Sequence, residues 1–126
     1  MPQRKVLLVE DDGFLASIYA RAFEQSGFEV SFAGGGADGL KLAAKDVPDL
    51  VVLDLNMMPM DGFEVLERLK ADDATKKIPV FVLTNLATKE DVDRCLALGA
   101  VGYAIKAHTL PHEVVKKAKE ILHVDI

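Results

Sequence analysis

This 126-residue chain is built around short apolar runs that each stop at a polar or charged residue. Val6-Leu7-Leu8-Val9 runs into Glu10-Asp11-Asp12, and Leu50-Val51-Val52-Leu53 into Asp54. Val80-Phe81-Val82-Leu83 ends in Thr84, and Val101-Gly102-Tyr103-Ala104-Ile105 ends in Lys106. Runs of this length read as buried strands. A buried, unpaired charge is costly, so acids placed here belong at the rim of a sheet and need partners.

Between the runs the apolar spacing changes to that of helices. Phe14–Ser26 carries Leu15, Ile18, Ala22 and Phe23 at helical spacing, with Gly27 as its stop. Glu29–Ala33 alternates as a strand, with Val30 and Phe32 facing one way. Ala37–Lys45 is expected to be a helix resting on Ala37, Leu40 and Ala44, ended ahead of Pro48. The third strand spans Leu50–Leu55. Gly62–Ala71 carries Phe63, Leu66 and Leu69 on one helical face, and Asp72–Lys77 is a polar loop. Ile78-Pro79 opens the fourth strand, and Thr88-Lys89-Glu90-Asp91 resembles a capping box for a helix ending at Gly99. After the fifth strand, Val101–Ile105, the last helix is expected over Leu110–His123, with Thr109 as N-cap and Pro111 in its first turn.

Five strand–helix repeats imply an α/β, flavodoxin-like doubly wound sheet of five parallel strands with five helices. Strands one, three and four are apolar on both faces and belong in the middle, whereas strands two and five alternate like edges. Right-handed crossovers then favour the order 2-1-3-4-5. These repeats use nearly all of residues 1–126, which is read as a single domain with no room for an output domain.

In open α/β sheets, ligands bind beyond the carboxyl ends of the strands. An acid pair, a single acid, a hydroxyl and a lysine would meet there. Magnesium takes oxygen ligands, commonly one or two carboxylates with phosphate and water; Asp11, Asp12 and Asp54 offer such a set. A carboxylate also accepts phosphoryl as an acyl phosphate, with metal and lysine neutralising the transferring charge. Taken alone, Asp11-Asp12 reads equally well as a solvated helix N-cap, and Thr84 as an ordinary strand terminus.

Charge and composition narrow the field. The formal net charge of −5 and a pI near 5.1 argue against a general nucleic-acid or anionic-membrane binder. One cysteine, Cys95, excludes an intrachain disulfide and suits the cytoplasm. No apolar run approaches the roughly 20 residues of a membrane span.

The segments Val9-Glu10-Asp11-Asp12, Val52-Leu53-Asp54-Leu55-Asn56-Met57, Met60-Asp61-Gly62, Leu83-Thr84 and Gly99–Lys106, in this order and spacing, resemble the receiver domains of two-component response regulators. The resemblance covers the full length. It implies that Asp54 accepts phosphoryl from a histidine kinase or histidine phosphotransfer protein. Mg²⁺ would lie on Asp11, Asp12, Asp54 and the backbone carbonyl of Asn56. It further implies that Thr84 and Lys106 contact the phosphoryl oxygens and that Tyr103 is an aromatic switch following Thr84. Output would pass through the surface of helix four, strand five and helix five to a downstream protein, from a monomer or weak dimer. Asn56 and Leu86 would border the approach of hydrolytic water, and apolar Leu86 implies a long-lived aspartyl phosphate. On this reading Asp12→Ala leaves the metal-free fold at least as stable, because it removes like-charge repulsion.

Three positions depart from the family pattern. Met58 stands where proline is common, with Pro59 one later; Ala107, not proline, follows Lys106; and Asn85, not a small residue, follows Thr84. The Lys106–Ala107 peptide is expected to be trans.

Other readings are weaker. A small magnesium-dependent phosphatase with Asp54 as nucleophile would want an acid where Asn56 stands. A degenerate receiver that only binds partners sits poorly with the complete set of acids, Thr84 and Lys106. Gly34–Gly39 fits a G-x-G-x-x-G pattern but follows an edge strand. His108 and His112 are a zinc pair without a third ligand. Met57, Met58 and Met60 are expected to pack in or beside the loop after Asp54, and Cys95 to fill the core.

Overall fold

The computed structural model describes residues 3–124. The ends of the expected 1–126 domain lie outside them. The elements are β1 (Lys5–Val9), α1 (Gly13–Gln25), β2 (Glu29–Ala33), α2 (Gly36–Asp46), β3 (Leu50–Leu53), α3 (Gly62–Ala71), β4 (Val80–Thr84), α4 (Lys89–Ala97), β5 (Gly102–Ile105) and α5 (Pro111–Leu122), with a 3₁₀ turn over Lys106–His108. All strands are parallel, in the order β2-β1-β3-β4-β5. Alternation along each strand divides the core. Leu7, Val9, Val51, Leu53, Val80 and Val82 point to the side covered by α2, α3 and α4. Val6, Leu8, Leu50, Val52, Phe81 and Leu83 point to the side covered by α1 and α5.

Two helical faces are rotated from their expected positions. In α1 the buried residues are Ala16, Tyr19 and Phe23, while Ile18 is exposed. The amphipathic Tyr19 takes the inward position. In α2 the buried residues are Gly36, Gly39 and Ala43, while Ala37 and Ala44 face solvent. There the helix lies so close to the sheet that a Cβ on Gly39 would sit 2.9 Å from Val9 Cγ2. Close approach, which the apolar spacing does not report, selects the glycine face. The face of α3 is as expected, on Phe63, Leu66 and Leu69.

The start of α5 also differs. Thr109 is not the N-cap: Leu110 takes that place, and Glu113 Oε1 accepts from the Leu110 N–H at 2.8 Å. The 3₁₀ turn leaves Thr109 one residue short of the helix, and Glu113 then satisfies the orphan amide. Thr88 does cap α4, accepting from the Asp91 N–H at 3.1 Å.

Candidate functional site

The parallel register builds the site. Val9 pairs with Leu53, so the next residues on these strands, Glu10 and Asp54, are neighbours on the α1/α5 side. Both are 5% exposed. Thr84 pairs with Ile105 across β4 and β5, which sets Lys106 at the end of that ladder. The Lys106 ammonium reaches back between the acids, 2.6 Å from Glu10 Oε1 and 3.0 Å from Asp54 Oδ2. Asp54 Oδ1 accepts from the Asn56 N–H at 3.1 Å, which fixes the orientation of the carboxylate. The loop after Asp54 folds back so that the Gly62 N–H donates to the Leu55 carbonyl at 3.0 Å. A Cβ on Gly62 would overlap the Asp54 carbonyl oxygen and the Leu55 backbone. Only glycine allows α3 to start there.

The carboxylates that converge are Glu10, Asp11 and Asp54, each offering an oxygen within 4.8 Å of the others. This corrects the expected trio of Asp11, Asp12 and Asp54. Asp12 is the N-cap of α1: its Oδ1 accepts from the Phe14 and Leu15 N–H groups at 3.0 and 3.1 Å. The backbone bends into the helix after Asp11, so the acid belonging to the strand register is Glu10. The sequence held half of the signal, and the turn after Asp11 held the rest. The first residue after each central strand extends the ladder, and in β1 that residue is Glu10.

Glu10 is not comfortable as an anion. Burial raises its pKa to about 7, with the Lys106 hydrogen bond pulling it down and nearby Asp54 pushing it up. Burial disfavours the Lys106 ammonium as well, but hydrogen bonds to Glu10 and Asp54 outweigh this and raise its pKa. Glu10 Oε2 is buried without a hydrogen-bond partner. An all-oxygen donor set with one orphaned carboxylate oxygen fits a hard divalent cation. The space lined by Glu10, Tyr19, Asp54 and Lys106 is about 10 Å³, room for about one water. A larger ligand must therefore meet Asp54 from the open rim.

Thr84 is 1% exposed, and its hydroxyl accepts from the Leu86 N–H at 3.1 Å. Tyr103 pairs with Val82, two residues before Thr84, so Tyr103 and Thr84 share a face of the sheet; Tyr103 is 43% exposed. Leu86 is half-buried against the α2/α3/α4 core, and Asn56 is exposed. Met57 is buried and Met60 half-buried, but Met58 is 80% exposed. Among the described residues the cis peptide is Met58–Pro59, and Lys106–Ala107 is trans. His108 and His112 are exposed and join no metal-ligating cluster among the described residues. Gly34–Gly39 forms the two-residue β2–α2 loop and the first turn of α2, and its Gly36 and Gly39 pack against Val65, Met60 and Val9.

Residues 6–118 match the response regulator receiver domain family. The transcription regulator BvgA of Bordetella pertussis is 38% identical over 119 residues, covering 94% of this chain and 56% of that protein. The transcriptional regulatory protein PrrA of Mycobacterium tuberculosis is 37% identical over 118 residues, covering 94% of this chain and 49% of that one. The chain thus spans about half the length of these curated relatives. Among solved structures, the chemotaxis protein CheY4 of Vibrio cholerae superposes with a TM-score of 0.89 at 28% identity, over 96% of this chain and 100% of that one. A CheY-like receiver from Methanospirillum hungatei gives 0.90 at 25% identity, over 97% and 95%. With five parallel strands in the order 2-1-3-4-5 and acids converging at their carboxyl ends, the chain belongs to the response regulator receiver domain family, the phosphoacceptor signalling modules of two-component systems.

Proposed function

We propose that Asp54 is the phosphoacceptor, and that Glu10, Asp11, Asp54 and the backbone carbonyl of Asn56 hold Mg²⁺. The observation that carries this reading is Lys106 Nζ, bonded to both Asp54 and Glu10 beside an orphaned carboxylate oxygen. An Asp54 carboxylate oxygen forms a bond to phosphorus while the donor's bond to phosphorus breaks and its electron pair leaves with the donor. Histidine kinases or histidine phosphotransfer proteins are the donors of this proposal. Bound Mg²⁺ would supply positive charge against the phosphoryl oxygens. Lys106 supplies a second positive charge, and Asn56 N–H keeps the nucleophile aimed. Thr84 turns its hydroxyl from the Leu86 N–H to a phosphoryl oxygen, and Tyr103 moves inward into the space released.

The protein on this reading is a cytoplasmic switch and not a turnover enzyme, working as a monomer or weak dimer. Its downstream protein partner reads the α4-β5-α5 surface, where Leu96, Val101, Tyr103 and Leu110 are exposed. The acidic balance speaks against direct nucleic-acid binding. No helix among the described residues is long and apolar enough to cross a membrane. Intact mass after incubation with acetyl phosphate and Mg²⁺ tests the assignment. One phosphoryl group should add to the parent and none to Asp54→Asn or Asp54→Ala. Labelling that persists in both variants would overturn it.

A further inference from the structure

The two loops that leave β4 and β5 are joined by one hydrogen bond. Asn85 Oδ1 accepts from the Ala107 N–H at 3.0 Å, across 22 residues of sequence. The last rung of the β4–β5 ladder is Thr84 opposite Ile105. Asn85 follows Thr84, and Ala107 follows Ile105 and Lys106. A side chain therefore continues the pairing where the backbone ladder stops. A proline at 107 would have no N–H to give, and a small residue at 85 would have no acceptor to reach it. Two of the three departures from the family pattern, Asn85 and Ala107, are partners in a single contact.

We propose that Asn85 is a positioning residue for Lys106, a deepening of the proposed phosphoacceptor function that rests on it. Lys106 begins a three-residue 3₁₀ turn whose own closing bond, Thr109 N–H to the Lys106 carbonyl, is long at 3.4 Å. A single short turn is a weak anchor. Lysine carries its charge on a flexible four-carbon stem. Holding the ammonium at 2.6 Å from Glu10 and 3.0 Å from Asp54 requires the backbone at 106–107 to be held from outside the turn. Asn85 does this, and it ties the holder of Lys106 to the residue next to Thr84.

The test has a structural arm and a kinetic arm. In isotope-labelled parent protein, a scalar coupling through the hydrogen bond should connect the Ala107 amide nitrogen with the Asn85 side-chain carbonyl carbon. Its absence, with both signals resolved, overturns the proposal whatever happens to phosphorylation. The Lys106 ammonium nitrogen signal should be sharp in the parent and shifted or lost in Asn85→Ala; an unchanged signal also overturns it. For labelling of Asp54 by acetyl phosphate, Asn85→Ala should lower the maximal rate by about five-fold with little change in the half-saturating donor concentration, as expected when a transferring group loses its aim. Asn85→Asp keeps an acceptor oxygen of the same reach and should recover most of that rate, its added charge showing in the half-saturation. Equal maximal rates in all three proteins, or Ala and Asp equally slow at unchanged melting temperature, refute the positioning role. No labelling of the parent condemns the phosphoacceptor reading instead, and leaves the latch to be judged by its NMR signals.

Discussion

In β3 every residue is buried, and in β1 every residue after Lys5. No residue of β5 is fully buried, and α4 buries Cys95 alone. The site straddles this boundary. Its acids stand at the ends of β1 and β3, and Lys106 and Tyr103 belong to the β5 edge. The acid half is held by packing on both faces of the sheet. β4 is buried like the acid strands, whereas β5 and α4 beyond it depend more on individual contacts: the Asn85–Ala107 bond, the Lys106 ion pairs, and Arg94 stacked 4.1 Å over the Phe63 ring. Elements with few buried apolar contacts open at low free energy and are where switching motions arise. On the proposed function, the rigid half would place the phosphoacceptor and the lightly anchored half would carry the response.

The largest loss is expected from Gly62→Ala in the acid half. The added methyl meets backbone at Asp54 and Leu55, not a flexible side chain. The loss should be about 3 kcal/mol or more in denaturant unfolding. A tolerated alanine would mean that the acid half is softer than its packing indicates.

Next in size is a pH dependence that also belongs to the acid half. Unfolded Glu10 ionises near 4.5, whereas the folded protein keeps that proton until about 7. Between these values the native state binds more protons, so stability falls as pH rises through the window and levels off above it. Without Mg²⁺ the loss should be on the order of 2–3 kcal/mol, read from urea unfolding at pH 5 and 7.5. Glu10→Gln should flatten the slope; an equally steep slope in that variant would locate the titration elsewhere.

Asp12→Ala separates capping from metal binding. Removing the acceptor of two backbone N–H groups should cost about 1 kcal/mol. This reverses the neutral or stabilising effect expected from charge repulsion alone. The Mg²⁺-induced rise in melting temperature should survive in Asp12→Ala and shrink in Asp11→Asn. The opposite pattern would return Asp12 to the metal site.

The smallest effect belongs to the other half. Arg94→Ala removes the contact over Phe63 and should cost about 0.5 kcal/mol, while raising hydrogen exchange in α4 more than in α1. Equal protection changes in both helices would erase the distinction between the two halves.

Much of this architecture was legible in the residues. The alternation of apolar runs with helix-spaced segments, and the contrast between strands apolar on both faces and alternating ones, were enough for the strand order. The charged residue at each strand end marked the site. The failures have a common cause. Ile18 in α1 and Ala37 and Ala44 in α2 looked inward by spacing, but Tyr19 and the glycines took those places, because distance between layers is a tertiary quantity. Asp12 was expected to converge with Asp54, because adjacent acids look alike in a string, but its carboxylate caps α1.

Local properties of the chain were enough for the strand order and for the placement of Asp54, Thr84 and Lys106 at the carboxyl ends of β3, β4 and β5. These depend on periodicity and on the cost of burying charge, both local properties of the chain. That Glu10 rather than Asp12 stands beside Asp54, and that Asn85 meets Ala107 across 22 residues, came from the folded arrangement. Each depends on where one strand's register stops against another's and on which way the backbone turns afterwards. That turn is settled by non-local contacts: Asp54 beside Glu10 and the β4–β5 ladder behind Lys106.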